Sequence, residues 1–130
     1  MKKIKKKKKG KILYMGSDLS VVAPNQEIYK SFGNFLKPVT YSVVKHGILG
    51  LTRYFASLYS KHNIQVNMLS PGPIRNKHKK KFVKAVSEKI PTGRMGDLKD
   101  LDNTLIYLLN ENNNFITGQN IVVDGGRTLI

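Results

Sequence analysis

The stretch Tyr41-Ser42-Val43-Val44-Lys45 opens a run, from Val39 or Thr40 to about Lys61, whose apolar residues Val44, Ile48, Leu51, Phe55, Leu58 and Tyr59 recur at helical spacing. Read as helix, it sets a phenol and an ammonium four residues apart, one turn along the same face. An ammonium beside a phenol favours the phenolate, which suits a tyrosine to passing protons to and from a carbonyl/alcohol pair. Taken alone, the Y-x-x-x-K spacing is a weak signal, since a tyrosine and a lysine so spaced are usually a surface pair. Pro38 ends the segment before the helix, and His62-Asn63 stops it, with Asn63 suited to the left-handed end position. Gly47 and Gly50 each cost the helix about 1 kcal/mol against alanine, a loss that close approach of another backbone or a partner helix would offset.

Working outward, Lys11-Ile12-Leu13-Tyr14-Met15 reads as a short buried strand, apolar on both faces as parallel strands are. Gly16-Ser17-Asp18 is a turn at its carboxyl end, where ligands bind in an open parallel sheet. Residues 18–38 carry breakers at Pro24, Asn25, Gly33, Asn34 and Pro38, and read as loop with one helical turn near 26–32. After the long helix, Ile64 to Leu69 is a second strand, ended by the rigid turn Ser70-Pro71-Gly72-Pro73. Residues 78–89 form a basic amphipathic helix with Phe82, Val83 and Val86 on one side. Asp97 caps a further helix to about Asn110, with Leu98, Leu101, Leu105, Leu108 and Leu109 inward. Gln119 to Val123 is a third strand, stopped by Asp124-Gly125-Gly126. The order strand, helix, strand, helix, helix, strand predicts an α/β fold with a parallel sheet.

Composition narrows the function classes. The 130 residues have room for one small domain. With no cysteine, disulfide and thiolate chemistry are excluded, and a reducing, cytoplasmic setting is expected. No apolar run approaches the roughly 20 residues that span a bilayer. His46, His62 and His78 show no ligand spacing, so no metal site is expected. The net charge of +15 is concentrated: eight lysines lie in residues 1–11, and Lys77, Lys79, Lys80, Lys81 and Lys84 form a second cluster. Residues 1–9 are expected to be a disordered lysine-rich tail, with the folded domain spanning 10–130. A nucleic-acid surface is the competing reading of that charge. It lacks interleaved aromatics, and the four arginines, Arg53, Arg75, Arg94 and Arg127, are scattered.

These elements together resemble the carboxyl-terminal half of a short-chain dehydrogenase/reductase (SDR), from about Gly10 to Gly126. Tyr41 and Lys45 match the family's Y-x-x-x-K on the helix after its fifth strand, and Ser17 matches its catalytic serine. Asn67 to Gly72 matches the strand and Pro-Gly turn beside the nicotinamide. Pro91-Thr92-Gly93-Arg94-Met95-Gly96 resembles the P-x-G-R-x-G segment, and Ile116 to Gly126 the closing strand and glycine turn. The resemblance implies the last three strands of a doubly wound Rossmann-like sheet, with the amino-terminal half of the fold missing. It implies an NAD- or NADP-dependent oxidoreductase moving hydride between nicotinamide and a carbonyl/alcohol substrate. By that resemblance Tyr41, Lys45 and Ser17 are catalytic. Tyr41, Lys45, Pro71, Gly72, Ile74 and Asn76 line the cofactor side, Asn76 standing near the family's usual threonine for the carboxamide.

The sequence departs from the family pattern in three places. The glycine-rich turn after the family's first strand, the residue that chooses between NAD and NADP, and the tetrad asparagine have no counterpart here. The interval from Ser17 to Tyr41 is longer than usual, the extra residues falling between about Asn25 and Pro38, and is expected to overhang the substrate cleft. Lys11–Met15 would lie at an unpaired edge, so self-association, or completion by an amino-terminal half on another chain, is expected. The segment Val21-Val22-Ala23-Pro24-Asn25 resembles members in surface-sugar and flagellin-modification pathways. Two other readings stay open: an inactive SDR remnant with an oligomerisation role, and a basic nucleic-acid-binding protein.

Overall fold

A computed structural model of the chain describes residues 9–30, 32–33 and 35–130. Its regular elements are β1 (Gly10–Met15), α1 (Gln26–Lys30), α2 (Val39–Tyr59), β2 (Ile64–Pro71), α3 (Lys80–Ser87), α4 (Asp102–Leu109) and β3 (Asn120–Val123). The three strands form one parallel sheet in the order β1-β2-β3, with Gly10 opposite Ile64 and Met68 opposite Asn120. The expected tail at 1–9 lies outside the described residues, except for Lys9, whose ammonium pairs with Glu111 at 3.0 Å.

Side-chain alternation along the strands explains why helices cover both faces. Ile12 and Tyr14 of β1 join Ile64 and Val66 of β2 beneath Ala56, Phe55 and Tyr59 of α2. Leu13, between them in sequence, turns the other way and joins Leu69 of β2 against Leu101, Leu105 and Leu108, the stripe presented by α4 and the turn before it. A third cluster joins Val86, Ile90 and Met95 to Phe82, Val83 and, from α1, Ile28. β2 is buried from Ile64 to Ser70 because it has a strand on either side and helices above and below.

Three buried polar residues on β2 fix the path into β3. Asn67 donates to the Ile116 carbonyl at 2.9 Å and accepts from the Gln119 N–H at 3.0 Å. Gln65 donates to the Asn114 carbonyl at 3.3 Å, and Ser70 donates to Asn120 Oδ1 at 2.6 Å. Each would be costly to bury without a partner, so each ties the incoming segment to one register.

The helix ends show where local chemistry and packing diverge. α2 tightens into a 3-10 turn, Ser60–His62, which Asn63 stops with φ 53°, as its residue type predicts. The segment after Asp97 is split: a tight 3-10 turn, Leu98–Leu101, leads into α4. Two expected inward leucines are corrected by this. Leu98, 72% exposed, opens the tight turn before the apolar stripe begins. Leu109 lies about 100° round the helix from buried Leu108 and faces away.

Candidate active site

The turn after β1 is built by its own serines. Ser17 caps the short helix Asp18–Ser20, its Oγ accepting from the Leu19 N–H at 3.2 Å, while Ser20 Oγ accepts from the Ser17 N–H at 3.1 Å. Gly16 is required there, because a Cβ would collide with the Met68 side chain and with Ser70 Oγ. Ser17 Oγ also donates to Asp18 Oδ1 at 2.9 Å, and the other carboxylate oxygen of Asp18 pairs with Arg127 beyond the last glycine turn. That ion pair is buried, the two side chains being 5% and 11% exposed. The first and last parts of the domain are thus locked together at the serine.

Ser17 and Tyr41 open onto one cavity of about 650 Å³ at the carboxyl ends of β1 and β2, which Pro71, Gly72 and Ile74 also line. Five of the expected site residues are therefore gathered in one place. Gly72 fits its position because a Cβ would come within 2.7 Å of Asp124 Cα, so the turn after β2 seats directly on the turn after β3. The other two expected residues stand outside the cavity lining. Lys45 does not line the cavity: its ammonium, 5.7 Å from the Tyr41 ring centre, donates to the Met15 carbonyl at 3.2 Å, the acceptor offered at the end of β1. Asn76 is exposed and outside the cavity, because its amide oxygen accepts from the adjacent Lys77 N–H at 2.8 Å.

The loop expected to overhang the cleft supplies much of its wall. Tyr29, Phe32 and Phe35 face the cavity from this segment, and Phe82 faces it from α3. Phe32 meets Phe82 edge-on at 5.3 Å and holds the segment against α3, while Tyr29 meets Phe35 at 5.7 Å within the segment itself. Burial pushes the Tyr29 phenol above its usual pKa, with Arg127 opposing the shift and Asp18 and Tyr41 adding to it. His78 stacks on Phe82 at 5.2 Å and also lines the cavity. Lys37 was missed as a site residue. Its ammonium lies 4.1 Å from the Tyr41 ring centre, nearer than that of Lys45, and its place four residues before Tyr41 was the available signal.

A family model described as enoyl-(acyl carrier protein) reductase matches residues 1–128. The chain belongs to the short-chain dehydrogenase/reductase family. Among curated relatives of this SDR, the post-translational flagellin modification protein A of Campylobacter coli is 33% identical over 97% of the chain and 49% of its own length. Among solved structures, a short-chain dehydrogenase of Leptospira borgpetersenii with bound NAD+ superposes with TM-score 0.88 at 34% identity, over 98% of this chain and 48% of that one. The protein ElxO with NADP bound gives TM-score 0.82 at 26% identity, over 99% of this chain and 50% of its own. The SDR chain thus spans about half the length of the relatives it matches. Among its described residues no group of His, Cys, Asp or Glu is placed to hold a metal ion, and no helix is long and apolar enough to cross a membrane.

Proposed function

We propose that this chain is the carboxyl-terminal, chemistry-bearing half of an SDR oxidoreductase that uses NAD or NADP on a small carbonyl/alcohol substrate. The observation that carries this reading is that Ser17 and Tyr41 line one cavity together with Pro71, Gly72 and Ile74. The order of motifs in the sequence supports assignment to the carboxyl half. The cavity residues fit the nicotinamide end of such a cofactor: a flat apolar side at Pro71 and Ile74, with the Gly72 backbone close-packed on Asp124. No glycine-rich turn for the pyrophosphate exists in this sequence. When bound, the nicotinamide would accept hydride from the alcohol carbon, or return it to the carbonyl.

The chain's own residues then handle the proton. In oxidation the Tyr41 oxygen takes the hydroxyl proton as the C–H bond breaks; in reduction it gives that proton back. Ser17 steadies the reacting oxygen by swinging its one O–H from Asp18 Oδ1 to the substrate, while the Leu19 N–H keeps its Oγ in place. Lys45, one turn on, supplies positive charge near the phenol from its seat on the Met15 carbonyl.

The outward face of α2 supports a second feature of the proposal, completion by another subunit. Val43, Val44, Leu51, Tyr54 and Leu58 are exposed on it, and a Cβ at Gly47 or Gly50 would meet nothing within 4 Å. A second copy, or an amino-terminal half on another chain, would cover this face; the kinship with a flagellin modification protein favours a surface-sugar substrate handled in the cytoplasm. An assembly role without catalysis is the alternative that this face favours. The test is a fluorescence titration with NADH and NADPH, using the chain alone and the chain mixed with a complementing amino-terminal SDR half. The mixture should bind cofactor and turn over, with Tyr41→Phe lowering kcat by about 10²-fold or more. Equal turnover by the mixture made with the Tyr41→Phe variant defeats the catalytic reading. A mixture that never binds cofactor leaves the assembly role in its place.

A further inference from the structure

The charge lining the cavity is unbalanced. Lys37, Lys79 and Arg127 face it against one carboxylate, Asp18, which is already consumed by its pairing with Arg127. Among the described residues no ion pair involves Lys37 or Lys79. The charge left over is therefore two ammonium groups, set in a site with an aromatic wall. A low-dielectric wall lets such charges act more strongly than they would on open surface.

Lys37 is also held in place by a dedicated contact. The Gln26 side chain grips the Lys37 backbone from both sides, accepting its N–H at 2.9 Å and donating to its carbonyl at 3.3 Å. This cross-tie closes the loop between α1 and α2 across eleven residues. It sets the Lys37 ammonium between two phenol rings, 4.1 Å from the centre of Tyr41 and 5.6 Å from that of Tyr29. A lysine on an unconstrained loop would drift into water; this one is stationed beside the residue assigned to proton transfer.

We propose that the cavity takes an anionic substrate, a hydroxy or keto compound carrying a carboxylate or a phosphate. In this proposal Lys37, positioned by Gln26 and joined by Lys79, selects for that charge. The inference rests on the oxidoreductase reading for the reaction, though not for the binding. It makes the long interval between Ser17 and Tyr41 a specificity element, whose aromatic residues support the carbon skeleton while its lysine reads the charge.

The test uses two matched pairs of probes on the full 130-residue chain, followed by calorimetry and by the fluorescence of the cavity tyrosines. D-gluconate is compared with D-glucitol, and D-glucose 6-phosphate with D-glucose, each pair differing in one anionic group. At least one anion should bind about tenfold more tightly than its neutral twin, the worth of a single charge-assisted hydrogen bond. Lys37→Gln should erase most of that ratio, Lys37→Arg should keep it, and Gln26→Ala should reduce it. Lys61→Gln removes the same charge from an exposed site outside the cavity, and should change nothing. Equal binding within both pairs overturns the proposal. So does no binding of either anion up to about 20 mM, where even millimolar affinity would register. An equal loss in Lys61→Gln and Lys37→Gln also overturns it, since the attraction would then be that of the whole basic chain. No cofactor enters the titration, so failure to bind nicotinamide counts against the oxidoreductase reading alone, and loss of discrimination counts against this proposal alone.

Discussion

The serine turn after β1 and the outward face of α2 belong to neighbouring parts of the molecule, yet they are finished to different degrees. At the turn, Ser17, Asp18 and Ser20 are buried, and each polar side chain has a partner supplied by the same chain. On α2, six large apolar side chains, Val39 among them, stand in the open, beside two glycines whose missing side chains would have had room. The first region carries its own solution to the cost of burying charge. The second has the composition of an interface without the neighbour that would use it, which is the basis for proposing one.

The largest expected effect comes from breaking the finished region. Arg127→Met leaves Asp18 buried without its counter-ion, and should cost about 3–5 kcal/mol, read as a lower urea midpoint of the full chain. Replacing both partners, Arg127→Met with Asp18→Leu, should recover much of the loss if burial is the cause. A loss under about 1 kcal/mol in the single variant would show that water reaches the pair.

Next in size is the seat between the second and third glycine turns. Gly72→Ala drives a methyl to within 2.7 Å of Asp124 Cα, and should cost about 1–3 kcal/mol. Unchanged stability would mean that the two turns separate freely, and the cavity would then be less well defined than its walls suggest.

The unfinished region should respond in the opposite direction. Gly47→Ala and Gly50→Ala meet no atom of this chain, so each should stabilise the separated monomer by about 1 kcal/mol through helix propensity. If a partner packs on α2, the same methyl groups should weaken self-association measured by sedimentation. Stabilisation with no change in association would locate any partner elsewhere.

The smallest effect is expected at the exposed counterpart of the buried pair. Arg94 holds Asp100 by two bonds, at 2.7 and 2.9 Å, and the Asp97 N–H adds a third at 2.7 Å. The Arg94 hydrogen bond, then that from the Asp97 backbone, hold the Asp100 carboxyl well below its usual range. A carboxyl depressed in the folded state contributes stability above its unfolded value near pH 4, and loses it as pH falls through the folded value. Acid unfolding should therefore steepen below about pH 4, and Arg94→Gln should flatten that slope slightly, solvent screening keeping the change small.

Much of the fold was legible because its signals are local. Pro38 opens the long helix, Asn63 ends the tight turn that follows it, Pro71 to Pro73 end the central strand, and Asp97 precedes a tight turn. Ser17, Tyr41, Pro71, Gly72 and Ile74 were legible as a set because they stand at element ends in a family order, and the sheet gathers such ends on one side. Where Lys45 and Asn76 would bond was not legible, because a flexible or exposed side chain takes whichever acceptor or donor lies nearest. For Lys45 that is Met15, and for Asn76 it is Lys77.

By itself, then, the sequence determined where strands and helices begin and end, that the strands lie parallel, and which family the chain resembles. Each of these follows from neighbours along the chain. Only the tertiary structure decided that Asp18 meets Arg127 across 109 residues, that Asn67 pins the path into β3, and that Lys37 comes to rest over Tyr41. Those contacts depend on how far each loop reaches once the sheet is closed, and residue type alone does not encode that distance.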